Sequence, residues 1–218
     1  MTDKHRRFLG PVVEMRKLHD SAEQRIVHSA EMLDRKSLAS VGDTTGERLT
    51  ALLTETKAHT PEELAANVAR IGELLERFAL YVPARFTDDP AEQAKYWAVR
   101  SGIFPAVGGS RPAGTTCLSE DVAFHIEDLP RATAELQALI ARHGYDACIY
   151  GHALEDNYHF IINQSFSPPA EVARYEALMN DVAELVSAGT TARSKPSMAR
   201  GATWRPSSAA SRATTPWP

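Results

Sequence analysis

Two spacings of apolar residues alternate along the chain. Leu64, Val68, Ile71, Leu74, Leu75 and Phe78 recur at the interval of one helix face, behind a start signal of Thr60, Pro61 and Glu63. The same interval carries Leu129, Ala132, Leu136, Leu139 and Ile140 after Asp128-Leu129-Pro130, with Gly144 as the stop. It returns in Val172, Tyr175, Leu178, Met179, Val182 and Leu185, predicting a helix over 170–186. Asp89-Pro90-Ala91-Glu92 predicts another helix through Tyr96 and Trp97 to Arg100, ended by Gly102. Helical spacing of Ile26, Met32, Leu33 and Leu38 also predicts a helix over 21–40.

Between these segments lie shorter apolar runs of strand type: 49–56, 80–86 interrupted by Pro83, 115–124, and the two flanks of Gly151–His159. Gly42–Gly46 and Pro105–Gly114 are loops, and the second lacks the Gly-Lys-Ser/Thr ending of a phosphate loop. The flanks 147–150 and 160–162 form a hairpin, so the sheet is at least partly antiparallel and the class is α+β.

A chain of 218 residues, 43% hydrophobic and 24% charged, fits one globular body with a real core. No apolar run is long enough to span a bilayer, and no signal-peptide segment follows Met1. Cys117 and Cys148 fit two buried, reduced thiols in a cytoplasmic protein. The net charge of −4 gives no basis for nucleic-acid binding. That charge is uneven. After Val186 there is no Asp, Glu, Leu, Ile, Val or Phe, but there are Arg193, Lys195, Arg200, Arg205 and Arg212. Removing those five positive residues from −4 leaves −9 for residues 1–186. A tail of this composition has little apolar surface to bury, and disorder is expected over 188–218.

The candidate chemistry sits in Gly151-His152-Ala153-Leu154-Glu155-Asp156-Asn157-Tyr158-His159. A hairpin here would bring His152 and His159 to facing positions, where neutral imidazoles with nearby carboxylates suit a divalent metal such as zinc. The same pair also fits two histidines that merely close a sheet edge.

Five segments in order, Trp97-Ala98-Val99-Arg100, Phe104–Gly108, Gly114-Thr115-Thr116, Glu120–Phe124 and Gly151–His159, resemble the C-terminal domain of FAD-linked oxidases. The branch is similar to the D-lactate and related D-2-hydroxyacid dehydrogenases. The resemblance covers about 30–187, leaving 1–29 unmatched and 188–218 as the tail. It implies a ferredoxin-like cap domain that packs on a separate FAD-binding domain. It also implies FAD as cofactor, His152 and His159 as metal ligands, and Arg100, with Arg111 as a weaker candidate, as ligand of the substrate carboxylate. Asp156 replaces the family's usual glycine, and aspartate tolerates the left-handed turn better than most residues. The implied partners are a small 2-hydroxy acid and an FAD-domain chain. The implied location is the cytoplasm, with peripheral attachment at the inner membrane in the parent family.

The family's third metal ligand and its base come from a later Lys-Ala-Glu-His-Gly-Thr-Gly-Arg-Asn-Met-Ala-Pro segment, which this chain lacks. In its place stands Ser194-Lys195-Pro196-Ser197-Met198-Ala199-Arg200-Gly201-Ala202-Thr203-Trp204-Arg205. Reading the last base of each codon with the first two of the next forces Gly at the step from Met198 to Ala199. From Ser194 to Trp204 every step permits the family segment without a gap. The tail therefore reads as the right gene in the wrong frame. The expected function is that of a fragment of an FAD-dependent D-2-hydroxyacid dehydrogenase, inactive alone. The alternatives are a stand-alone α+β metal- or ligand-binding module without redox activity, and an inactive gene fragment.

Overall fold

Alternation along the strands divides the fold into two unequal cores. A computed structural model describes residues 3–20, 25–42 and 50–191. Its strands β1 (Ser29–Leu33), β2 (Ala51–Glu55), β3 (Thr116–Ala123), β4 (Cys148–His152) and β5 (Asn157–Gln164) form one antiparallel sheet in the order β2-β1-β4-β5-β3. Side chains two apart share a face. Ala30, Met32, Val122, Ile149, Tyr158, Phe160 and Ile162 therefore point into one core, while Leu33, Cys148, Tyr150 and Ile161 point into the other.

The larger core lies under helices α1 (Asp3–His19), α3 (Pro61–Leu75), α5 (Leu129–Arg142) and α6 (Pro169–Thr191). Phe160, Ile162 and Leu136 are fully buried there, each contributing roughly 1.5–3 kcal/mol by leaving water. The smaller core lies under α2 (Arg35–Ser40) and α4 (Pro90–Gly109), with Leu38 and Ile103 as its helical contributions. It covers only part of its face, and the polar remainder forms the candidate site.

The caps follow the sequence. Thr60 Oγ1 accepts the Glu63 amide at 3.2 Å with Pro61 in the first turn. Glu63 turns back to the amide of His59, one residue before the cap. Gly144 takes φ +74° past the end of α5.

Four expectations change. The helix predicted over 21–40 is instead β1 followed by α2, with 21–24 outside the described residues. β1 sits inside the sheet and is paired by β2 and β4 on its two sides, so ladder hydrogen bonds and double-faced burial override the helical spacing. Asp34 separates the two elements by accepting the Ser37 amide at 2.8 Å as the α2 cap.

Residues 80–86 form no strand. Tyr81 and Val82 stand exposed there, next to a proline that cannot donate to a ladder. The helix expected to end at Gly102 runs to Gly109 through Pro105. Burial of Ile103 and packing of Val107 hold it on the sheet.

Residues 1–29, which the sequence resemblance left out, supply Val12, Met15 and Val27 to the larger core. At the other end α6 continues to Thr191, past the compositional boundary at 187. Residues 43–46 of the predicted loop, and 192–218 of the tail, lie outside the described residues.

Candidate functional site

The register of the sheet assembles the site in two adjacent rows. Leu33, Tyr150, His159 and Asp121 stand side by side across β1, β4, β5 and β3. One step along, Glu31 of β1 stands opposite His152 of β4. The histidines are thus not cross-strand partners as the hairpin predicted, because His159 pairs with Tyr150. Their rings nevertheless touch edge to face, centroids 5.6 Å apart at 81°. Tyr150 lies 5.3 Å from His159 on the same face.

Each imidazole is held by a carboxylate. His152 Nδ1 lies 2.5 Å from Glu31 Oε1, and His159 Nδ1 is hydrogen-bonded to Asp121 Oδ1. An ionised carboxylate can only accept, so each Nδ1 carries the proton and each Nε2 of a neutral ring keeps its lone pair. Glu31 also accepts from Arg100 Nε at 3.1 Å, and the Arg100 guanidinium lies over the Tyr150 ring at 5.0 Å. Glu31 is 3% exposed, whereas the Asp121 side chain is 59% exposed. Burial pushes the Tyr150 hydroxyl up, against the opposing pull of Arg100.

The turn between the histidines is built tightly. Gly151 has φ +150°, and a Cβ there would lie 2.7 Å from the Asn157 carbonyl oxygen. The connection is a 3₁₀ turn, Ala153–Glu155, closed by Asp156 in the left-handed region at φ +62°, the conformation expected for this glycine replacement. Arg16 of α1 donates to the Leu154 carbonyl and lies 3.5 Å from both Asp156 carboxylate oxygens. Burial raises the Asp156 carboxyl, and Arg16 is the largest opposing influence.

Of the four residues singled out from sequence, Arg100, His152 and His159 come together. Arg111 instead closes the end of α4, donating from Nη1 to the Gly108 carbonyl at 2.6 Å and from Nε to the Thr115 carbonyl at 3.1 Å. Both cysteines are free; burial pushes Cys148 up to about 12 and raises Cys117, which is only half-buried. Neither suits a nucleophile.

Among the described residues no group of three or more His, Cys, Asp or Glu side chains could hold a metal ion. Two imidazole Nε2 atoms fall short of the three protein ligands of a catalytic zinc, so the described donor set does not by itself fit that metal.

Sequence reading missed Glu31 and assigned no role to Asp121. Glu31 lay within the predicted helix, but its signal was present: one acidic residue inside the apolar run Ala30, Met32 and Leu33. A lone carboxylate there requires partners, and the fold supplies two, His152 from β4 and Arg100 from α4.

No curated protein matches the chain. A solved structure of 4-ethylphenol oxidase from Gulosibacter chungangensis, in its isoeugenol complex, is similar at 12% identity and a TM-score of 0.47. That similarity covers 84% of this chain and 41% of the other, so the chain spans about two fifths of that protein. The family model for the C-terminal domain of FAD-linked oxidases matches residues 15–190, which takes in α1 from Met15, the sheet with its paired histidines, and nearly all of α6. By that match the chain belongs to the C-terminal domain family of the FAD-linked oxidases.

Proposed function

We infer that the chain is the substrate-side cap of an FAD-dependent D-2-hydroxyacid dehydrogenase of D-lactate or glycolate type. The observation that carries this reading is the meeting of Arg100 of α4 with His152 and His159 on one face of the sheet. Arg100 Nε is engaged by Glu31, and the two Nη nitrogens, which have no hydrogen-bond partner among the described residues, form an edge suited to a carboxylate. The lone pair of either His152 or His159 Nε2 can accept from the 2-hydroxyl of the same acid. Tyr150, stacked against Arg100 and His159, holds both in place.

A bound FAD would take the hydride released from C2. What these residues do is bind and orient the acid. A metal at His152 and His159 would need its third ligand from outside the described residues. A partner or further segment bearing the flavin is supported by the apolar side chains that α4 and the stretch before it leave in solvent, including Tyr81, Val82, Trp97 and Phe104.

The test is a D-lactate titration of the full chain, followed by NMR at the Arg100 Nε–H and the histidine rings. Saturable shifts at these groups, lost in Arg100→Ala, are expected. Absence of saturation, or unchanged binding in Arg100→Ala, would overturn the reading.

A further inference from the structure

We propose that Glu31 is the positioning residue of this site, one buried carboxylate that fixes both the plane of Arg100 and the tautomer of His152. It rests on the substrate reading given above. Glu31 stands on β1, 3% exposed between apolar neighbours, and such a carboxylate is costly to bury unless both oxygens are used. They are used by two different side chains: Oε2 takes Arg100 Nε–H at 3.1 Å, and Oε1 takes His152 Nδ1–H at 2.5 Å.

Each contact has a directional result. Engaging Nε leaves the two Nη nitrogens of the guanidinium for a ligand and sets its plane, with the Tyr150 ring packed against it at 5.0 Å. Engaging Nδ1 leaves the His152 lone pair on Nε2, the only ring nitrogen then able to accept. His159 has its own carboxylate in Asp121, but that group is largely in water. A solvent-exposed acceptor competes with water and holds a ring less firmly than a buried one. The two histidines are therefore set with unequal firmness, His152 more than His159.

Glu31→Gln separates this role from bulk and packing. The amide oxygen introduced by the substitution should keep the charged donor Arg100, because a cationic N–H favours the oxygen over the NH2 group. The NH2 group then faces His152 Nδ1 and donates to it, which moves the ring proton to Nε2.

The experiment is long-range 15N–1H correlation on the histidine-labelled full chain at pH 8. Expected are the Nδ1–H form of His152 in wild type and the Nε2–H form in Glu31→Gln, with His159 unchanged. In parallel, D-lactate binding should weaken roughly tenfold in Glu31→Gln, the size of one misdirected hydrogen bond to the ligand. An Nε2–H His152 in wild type overturns the proposal without need of any variant. So does an unchanged tautomer in a folded Glu31→Gln protein, or, where wild type binds D-lactate, equal affinity in the two proteins. The tautomer readout needs no substrate. A flipped tautomer with no D-lactate binding in wild type therefore defeats the substrate reading while leaving the hold of Glu31 on His152 intact.

Discussion

Replacing Gly151 by alanine tests the tightest backbone approach in the site. Gly151 has φ +150°, a region that L side chains rarely adopt, and forcing a residue there costs about 1–3 kcal/mol. The added Cβ would also meet fixed atoms: the Asn157 carbonyl oxygen at 2.7 Å, Tyr158 Cα at 3.0 Å and the His159 amide nitrogen at 3.2 Å. These belong to β5 backbone, which cannot swing aside as a side-chain tip can, and such overpacking adds about 1–3 kcal/mol. The expected loss is about 2–6 kcal/mol, a large part of the roughly 5–15 kcal/mol that stabilises a whole domain. Gly72→Ala is the matched control, since this α3 glycine has nothing within 4 Å of its Cβ position. It should gain about 0.5–1 kcal/mol from reduced unfolded-state freedom and better helix propensity. Urea unfolding followed by circular dichroism gives both numbers, with the midpoint moving in opposite directions and the slope unchanged. A Gly151→Ala protein within about 1 kcal/mol of wild type would refute the reasoning, since a strained φ alone costs about that much.

Three further outcomes are expected. Asp181 accepts from His143 at 2.8 Å and Arg142 at 2.6 Å, and the His143 hydrogen bond, followed by that of Arg142, holds its carboxyl below the usual 3.8. Its stabilisation is therefore present above pH 3.8 and lost as pH falls through the lowered value, so Asp181→Asn should melt earlier than wild type at pH 6 and converge with it towards pH 3. A melting difference that persists unchanged at pH 3 would contradict this. The purified chain with added FAD should give no D-lactate or glycolate oxidation, measured by flavin bleaching, and sustained turnover would contradict the fragment reading. Resequencing the gene across the codons of Val186 to Gly189 should reveal a one-base shift that restores Glu-His-Gly-Thr-Gly downstream; stop codons or unrelated residues in that frame would disprove it.

The readable parts of the fold were those whose signals are local. Thr60-Pro61 and Asp89-Pro90 start helices because the groups that satisfy the first-turn amides lie within the same few residues. The strand at Thr116–Ala123, the hairpin around Gly151–His159 and the left-handed Asp156 likewise follow from short-range backbone preference and flanking apolar runs.

Three features depended on packing. Ile103 carries α4 past Gly102 because burial on the sheet outweighs a weak stop signal. Val12 and Met15 become core only when α1 meets the body of the fold. Residues 29–33 have helical spacing in isolation and become a strand because β2 and β4 offer ladders on both sides.

The site divides in the same way. Arg100, His152 and His159 could be picked out from their residue types and their resemblance to a known family. Their geometry could not, because it depends on Glu31, which lies 121 positions from His152 and 69 from Arg100. Sequence determines what each strand offers to its two faces. Strand order and register decide which of those offers become neighbours, since hydrogen bonds and ion pairs act over a few ångströms of space whatever the separation along the chain.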